Sequence, residues 1–333
     1  MDGPGIIARA NTVAVGPLQS VATCGGCARV HGAMLTVYTH PSYTDALDPS
    51  VRFPRERYRL ITERLRARPE IGLRTPRRAT REELVSAHDP AFVDAFLEGR
   101  LDERAVRRIG LRPWTPEIIE RTLRLVGGSL QAMEGALASG GIAGNLAGGT
   151  HHAHREFGSG YCIFNDLAIC ARQALAHWGC KRICILDLDV HQGDGTAAIF
   201  EDDPAVFTCS LHAARNFPFR KQASDLDVPL PDGMTDADYL GQLDAALARI
   251  DFSLYDAIFY QAGVDPLASD ALGLLSLTRA GLDARNRRIF DLQRRTGLPL
   301  VLFMGGGYAQ PISDTVDAFE DLFTVAAEYS SGG

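Results

Sequence analysis

Asp187, Asp189, His191 and Asp194 fall within eight residues, directly after the apolar run 182–186. Burying that much charge is costly unless a cation or close partners compensate it. With Asp265, in Gly263-Val264-Asp265-Pro266, the residues Asp189 and His191 give a divalent cation three protein ligands and leave positions open for water and substrate. Mixed nitrogen and oxygen ligation suits zinc, and iron(II), manganese or cobalt would accept it. His151-His152 sits behind Gly148-Gly149 and ahead of Ala153. The glycines let backbone and substrate approach closely. An imidazole there can take a proton from an attacking water and return it to a leaving amine near neutral pH. Asp187 and Asp194 are available to orient the two rings. Tyr308 ends Met304-Gly305-Gly306-Gly307-Tyr308, and in company with a metal a phenol can donate to a developing oxyanion. Taken singly, these are strand-end acids, a loop histidine pair and a glycine turn. Taken together they suit metal-assisted hydrolysis of an amide.

Gly158-Ser159-Gly160-Tyr161-Cys162 and Asn216-Phe217-Pro218-Phe219 are candidate walls for an extended side chain. Other chemistries lack their parts. Gly193-Asp194-Gly195 has no third glycine at dinucleotide spacing, and no G-x-S-x-G elbow supports a serine nucleophile.

The elements that must position these residues alternate between strand and helix, the pattern of a mainly parallel sheet covered on both faces. Residues 34–38, 182–186, 206–209, 257–260 and 298–303 read as strands; 81–98, 116–138, 166–177, 236–250, 278–295 and 311–327 read as helices. Four of these strands run into candidate residues: Asp187 to Asp194, Ser210-Leu211-His212, Asp265 and Tyr308. In open α/β sheets, ligands sit beyond the carboxyl ends of the strands. No internal repeat or Pro/Ser linker divides the body, so one domain is expected over 34–329. Residues 1–33 read as a disordered tail and 330–333 as a short one, with Met34 a candidate start.

A hydrophobic content of 46% can build a large core, and a net charge of −7 argues against a nucleic-acid surface. No stretch is apolar enough to span a membrane and no secretory leader is seen. The 7 cysteines show no disulfide framework, and Cys24-Gly25-Gly26-Cys27 has no second half to complete four zinc ligands. A cytoplasmic protein with reduced thiols is expected. Lys181 and Lys221 are the only lysines against many arginines, the bias of a GC-rich bacterial genome.

Five motifs in order, across residues 34–325, resemble the histone deacetylase superfamily: Gly148 to Ala153, Gly160 to Asp166, Asp187 to Gly195, Gln261 to Asp265 and Gly305 to Tyr308. The resemblance implies a three-layer α/β/α, arginase-like fold and a zinc-dependent deacylase. It implies Asp189, His191 and Asp265 as zinc ligands and His152 as general base. His151 would be its cationic partner, with Asp187 behind His151 and Asp194 behind His152, and Tyr308 would polarise the carbonyl. It also implies a potassium site at Asp187, Asp189, His191, Ser210 and Leu211, and an acyl-lysine channel along Gly160, Tyr161 and Phe217. Tyr161 stands where phenylalanine is common. The short stretch after His212, and Val51-Arg52-Phe53-Pro54 near the start, are more similar to the bacterial and class IV-like branch. No residue matches the rim aspartate of class I, and Asp89, in Ala87-His88-Asp89-Pro90, is not assigned that role.

The expected substrate is an acyl-lysine of a protein or peptide. An acetylpolyamine or other small acylated amine is the alternative, and a non-catalytic acyl-lysine reader a third reading. Nothing in the residues specifies the acyl chain or the oligomeric state.

Overall fold

A computed structural model describes residues 34–330; the expected N-terminal tail, Cys24, Cys27 and residues 331–333 lie outside them. Eight strands form one parallel sheet: β1 (Leu35–Tyr38), β2 (Ile71–Arg74), β3 (Ile142–Asn145), β4 (Ile183–Asp187), β5 (Val206–Ala213), β6 (Leu226–Leu230), β7 (Ala257–Gln261) and β8 (Leu300–Phe303). Their order is β2-β1-β3-β8-β7-β4-β5-β6. The inner strands β3, β8, β7 and β4 are buried at every position, as expected where helices cover both faces. At the margins β2 and β6 are half exposed.

The helices are α1 (Ser42–Asp45), α2 (Glu56–Leu65), α3 (Arg81–Val85), α4 (Pro90–Leu97), α5 (Glu103–Ile109) and α6 (Ile118–Ser139), followed by α7 (Asp166–His177), α8 (Asp194–Phe200), α9 (Asp236–Leu247), α10 (Arg279–Thr296) and α11 (Ile312–Ser330). One helical layer packs in series as α2, α11, α10 and α9, the other as α6, α7 and α8. The fold is therefore the three-layer α/β/α arrangement. Among the described residues no helix is long and apolar enough to cross a membrane.

Local chemistry fixes the ends. Thr278 caps α10 by accepting from the Gly281 N–H, and Asn165 caps α7 by accepting from Ala168. The helix expected over 81–98 is broken. Asp89 accepts from the Ala91 and Phe92 N–H groups and Pro90 opens α4, so the chain restarts there. Asp89 is thus used as a cap and does not line the cavity at the carboxyl edge of the sheet.

Candidate active site

Because all eight strands are parallel, their carboxyl ends share one edge. The loops after β3, β8, β7, β4 and β5, five neighbouring strands, carry the chemistry. After β4 come Asp189 and His191, after β7 Asp265, after β3 His151 and His152, and after β8 Tyr308. The ligand atoms of Asp189, His191 and Asp265 all lie within 4.8 Å of one another. His191 Nδ1 is 3.1 Å from Asp189 Oδ1 and 3.2 Å from Asp265 Oδ2. Both carboxylates are also oriented by backbone: Val190 N–H donates to Asp265 Oδ1 at 2.9 Å, and Gly306 N–H to Asp189 Oδ2 at 2.8 Å. A side chain at Gly306 would overlap the Asp265 carboxylate, so only glycine permits this approach.

The charges show what this cluster wants. Burial opposes an imidazolium at His191, yet the Asp189 and Asp265 carboxylates push it up to about 10. Burial and the Asp189 charge push Asp265 up to about 7. Two buried acids and an imidazole so placed have the donor types and spacing that fit a divalent metal.

The histidine pair is polarised. His151 Nδ1–H donates to Asp187 at 2.7 Å and His152 Nδ1–H to Asp194 at 2.6 Å, with ring centroids 4.1 Å apart. Against the effect of burial, the Asp187 and Asp189 carboxylates push His151 up to about 9. At His152 burial and the neighbouring His151 charge prevail over Asp194 and push it down to about 4. One ring is cationic and the other neutral at pH 7. Asp194 also holds His154 Nε2 at 3.1 Å, a third histidine that spacing at Ala153 ± 1 could have flagged.

Tyr308, His151, His152, Gly160, Tyr161, Phe217 and the metal cluster line one cavity of about 920 Å³. Burial pushes the Tyr308 phenol well above its usual value, so it remains a donor. Phe217 packs edge-on against His152 at 4.8 Å. Tyr161 is the only non-glycine among the described residues with left-handed backbone, φ 66°, and Ile109 carbonyl holds its N–H at 2.7 Å. Such strain persists only where the surroundings enforce it. Asp187 and Asp194 sit behind the histidines, and Ser210 and Leu211 lie buried on β5, outside the cavity lining.

Three buried arginines were not foreseen. Arg57 donates to the Gly305 and Gly307 carbonyls at 3.1 and 3.0 Å, shaping the turn that bears Tyr308. Arg285 donates to the carbonyls of Leu188, Ala262 and Gly263, bracing from α10 the loops that carry Asp189 and Asp265. Arg121 donates to Tyr43 carbonyl and the Tyr58 hydroxyl. The available signal was an arginine at a core-facing helical position.

Residues 51–320 match the histone deacetylase domain. An uncharacterized protein of Picosynechococcus sp. is 44% identical over 287 residues, covering 84% of this chain and 94% of that one. Histone deacetylase 8 of Xenopus tropicalis is 27% identical over 312 residues, covering 84% and 81%. Histone deacetylase 2 of Arabidopsis thaliana is 34% identical over 200 residues, with 58% of this chain aligned to 51% of that longer protein. With the domain match spanning most of its length and the parallel sheet carrying the site at one edge, this chain belongs to the histone deacetylase family.

Proposed function

We propose that the chain is a metal-dependent deacylase that hydrolyses the amide of an acyl-lysine or related acylated amine. The observation that carries this is the convergence, in one cavity, of the Asp189–His191–Asp265 cluster, a histidine pair whose proton affinities are pushed in opposite directions, and the Tyr308 phenol. Asp189, His191 and Asp265 would hold zinc or iron(II), which would supply Lewis-acid polarisation of the acyl carbonyl and acidify water.

The residues divide the rest of the work. Neutral His152, with its Nδ1–H fixed by Asp194, has Nε2 free to accept a proton from attacking water. It returns that proton to the departing amine nitrogen. His151, kept protonated by Asp187, contributes positive charge beside the developing anion and keeps His152 neutral. Tyr308 donates its hydroxyl hydrogen to the oxyanion. Tyr161 and Phe217 hold the methylene stem of the substrate and exclude water. Asp187, Asp189, His191, Ser210 and Leu211 would hold a potassium ion, and Asp187 and Ser210 pair in register across β4 and β5. The likeness to the Picosynechococcus protein supports kinship with the bacterial branch.

The test is turnover of a lysine-peptide panel, acetyl through myristoyl, by metal-loaded protein. Activity is expected to vanish with a chelator and to fall by about 10²–10³ in kcat for Tyr308→Phe. Full activity in that variant would sink the assigned mechanism.

A further inference from the structure

The mouth of the active-site cavity carries one sign of charge. Arg52, Arg107, Arg108, Arg112 and Arg215 all line it, and its only carboxylates are the deep metal ligands Asp189 and Asp265. This is unexpected in a chain with net charge −7. Each wall aromatic has an arginine beside it. Arg52 precedes Phe53, whose ring meets Tyr161 at 5.4 Å. Arg108 precedes Ile109, whose carbonyl fixes Tyr161, and Arg215 stands two residues before Phe217.

Some of this charge is spoken for. Arg107 pairs with Glu103 and Arg215 with Asp232, and the last-turn arginines Arg107 and Arg108 also complement the α5 dipole. Neither account covers Arg52 and Arg112. Both are exposed, both lie on loops, and neither has an ion-pair partner among the described residues. Phe219, Leu272 and Leu274 also line the cavity and are exposed. A cleft lined by one sign of charge raises the local concentration of oppositely charged ligands and repels like ones.

Resting on the deacylase reading, we propose that the substrate's amine half carries a carboxylate, and that Arg52 and Arg112 select it. The cationic rim disfavours polyamines and lysine-rich tails. The carboxylate could belong to acidic residues flanking an acyl-lysine or to a small acylated amino acid, which share one recognition chemistry.

The test uses the metal-loaded full chain with acetyl-lysine peptides flanked by Glu, Ser or Lys, and a small matched pair, acetamidohexanoate and N-acetylcadaverine. At ~0.05 M salt, kcat/KM is expected to be about tenfold higher for Glu than for Lys flanks, narrowing by ~0.5 M as screening sets in. Within the small pair the carboxylate should be preferred, and whichever arm is faster identifies the source. Arg52→Glu with Arg112→Glu should flatten or invert the ratio. Equal rates across the charge series, or preference for Lys, overturns the proposal from wild-type data alone. Calorimetric binding of the same peptides to Tyr308→Phe separates the two readings. No turnover with tighter binding of the Glu peptide removes the deacylase reading and keeps the charge selection. Turnover without charge preference does the reverse.

Discussion

Replacing His152 by alanine removes the only neutral imidazole of the pair while leaving the metal cluster intact. Loss of about 10²–10⁴ in kcat is expected, with metal content unchanged by elemental analysis. Gly306→Ala makes the complementary prediction. Its methyl group would push into the Asp265 carboxylate and disturb the N–H that orients Asp189. Groups that orient metal ligands typically carry 10–100-fold in affinity. Chelator competition on Gly306→Ala should therefore show metal binding weakened by about that factor, and unchanged affinity would show that the loop yields freely.

At the scale of elements, α10 and the α3–α4 junction act on the site without touching it. Arg285→Met would leave three loop carbonyls unpaired in the interior, and a loss of about 2–4 kcal/mol is expected from denaturant unfolding. His88, between α3 and α4, ties the site loop to that junction. Its Nδ1–H donates to the His154 carbonyl at 3.0 Å, and its Nε2 accepts the Asn165 N–H at 2.8 Å. Accepting at Nε2 requires the neutral ring, and burial pushes its pKa down to about 4. The unfolded chain takes up this proton near pH 6.5 and the folded one only near 4, so stability is full above 6.5 and falls between them. The loss is on the order of 3 kcal/mol. His88→Gln should remove that share of the acid slope, seen by comparing urea midpoints at two pH values.

β4, β7 and β8 are short apolar runs and were visible as such. β3 is Ile-Ala-Gly-Asn, with little strand propensity of its own, and exists because β1 and β8 pair with both its edges. The metal cluster and histidines were legible because their residues crowd into local motifs. The arginine rim was not, since Arg52, Arg112 and Arg215 come from three separate loops and meet only in the fold. Buried Arg57 and Arg285 were hidden by the general rule that arginine stays outside.

For the whole molecule, a ligand bound only by the folded state stabilises it by mass action. Zinc at about 100 times its dissociation constant should add about 2.7 kcal/mol, raising Tm with concentration. Asp265→Asn should abolish most of that rise. A zinc-independent Tm in the wild type would argue against a metal at this cluster.

The bond from Gly306 N–H to Asp189 links residues 117 positions apart. A ribosome adding ~5–20 residues per second takes roughly 6–23 s to travel between them. Throughout that interval the nascent chain holds Asp189 and His191 without the strand and glycine turn that complete their surroundings. On the deacylase proposal, a chain arrested before β8, lacking the glycine turn and Tyr308, should neither retain metal nor cleave an amide.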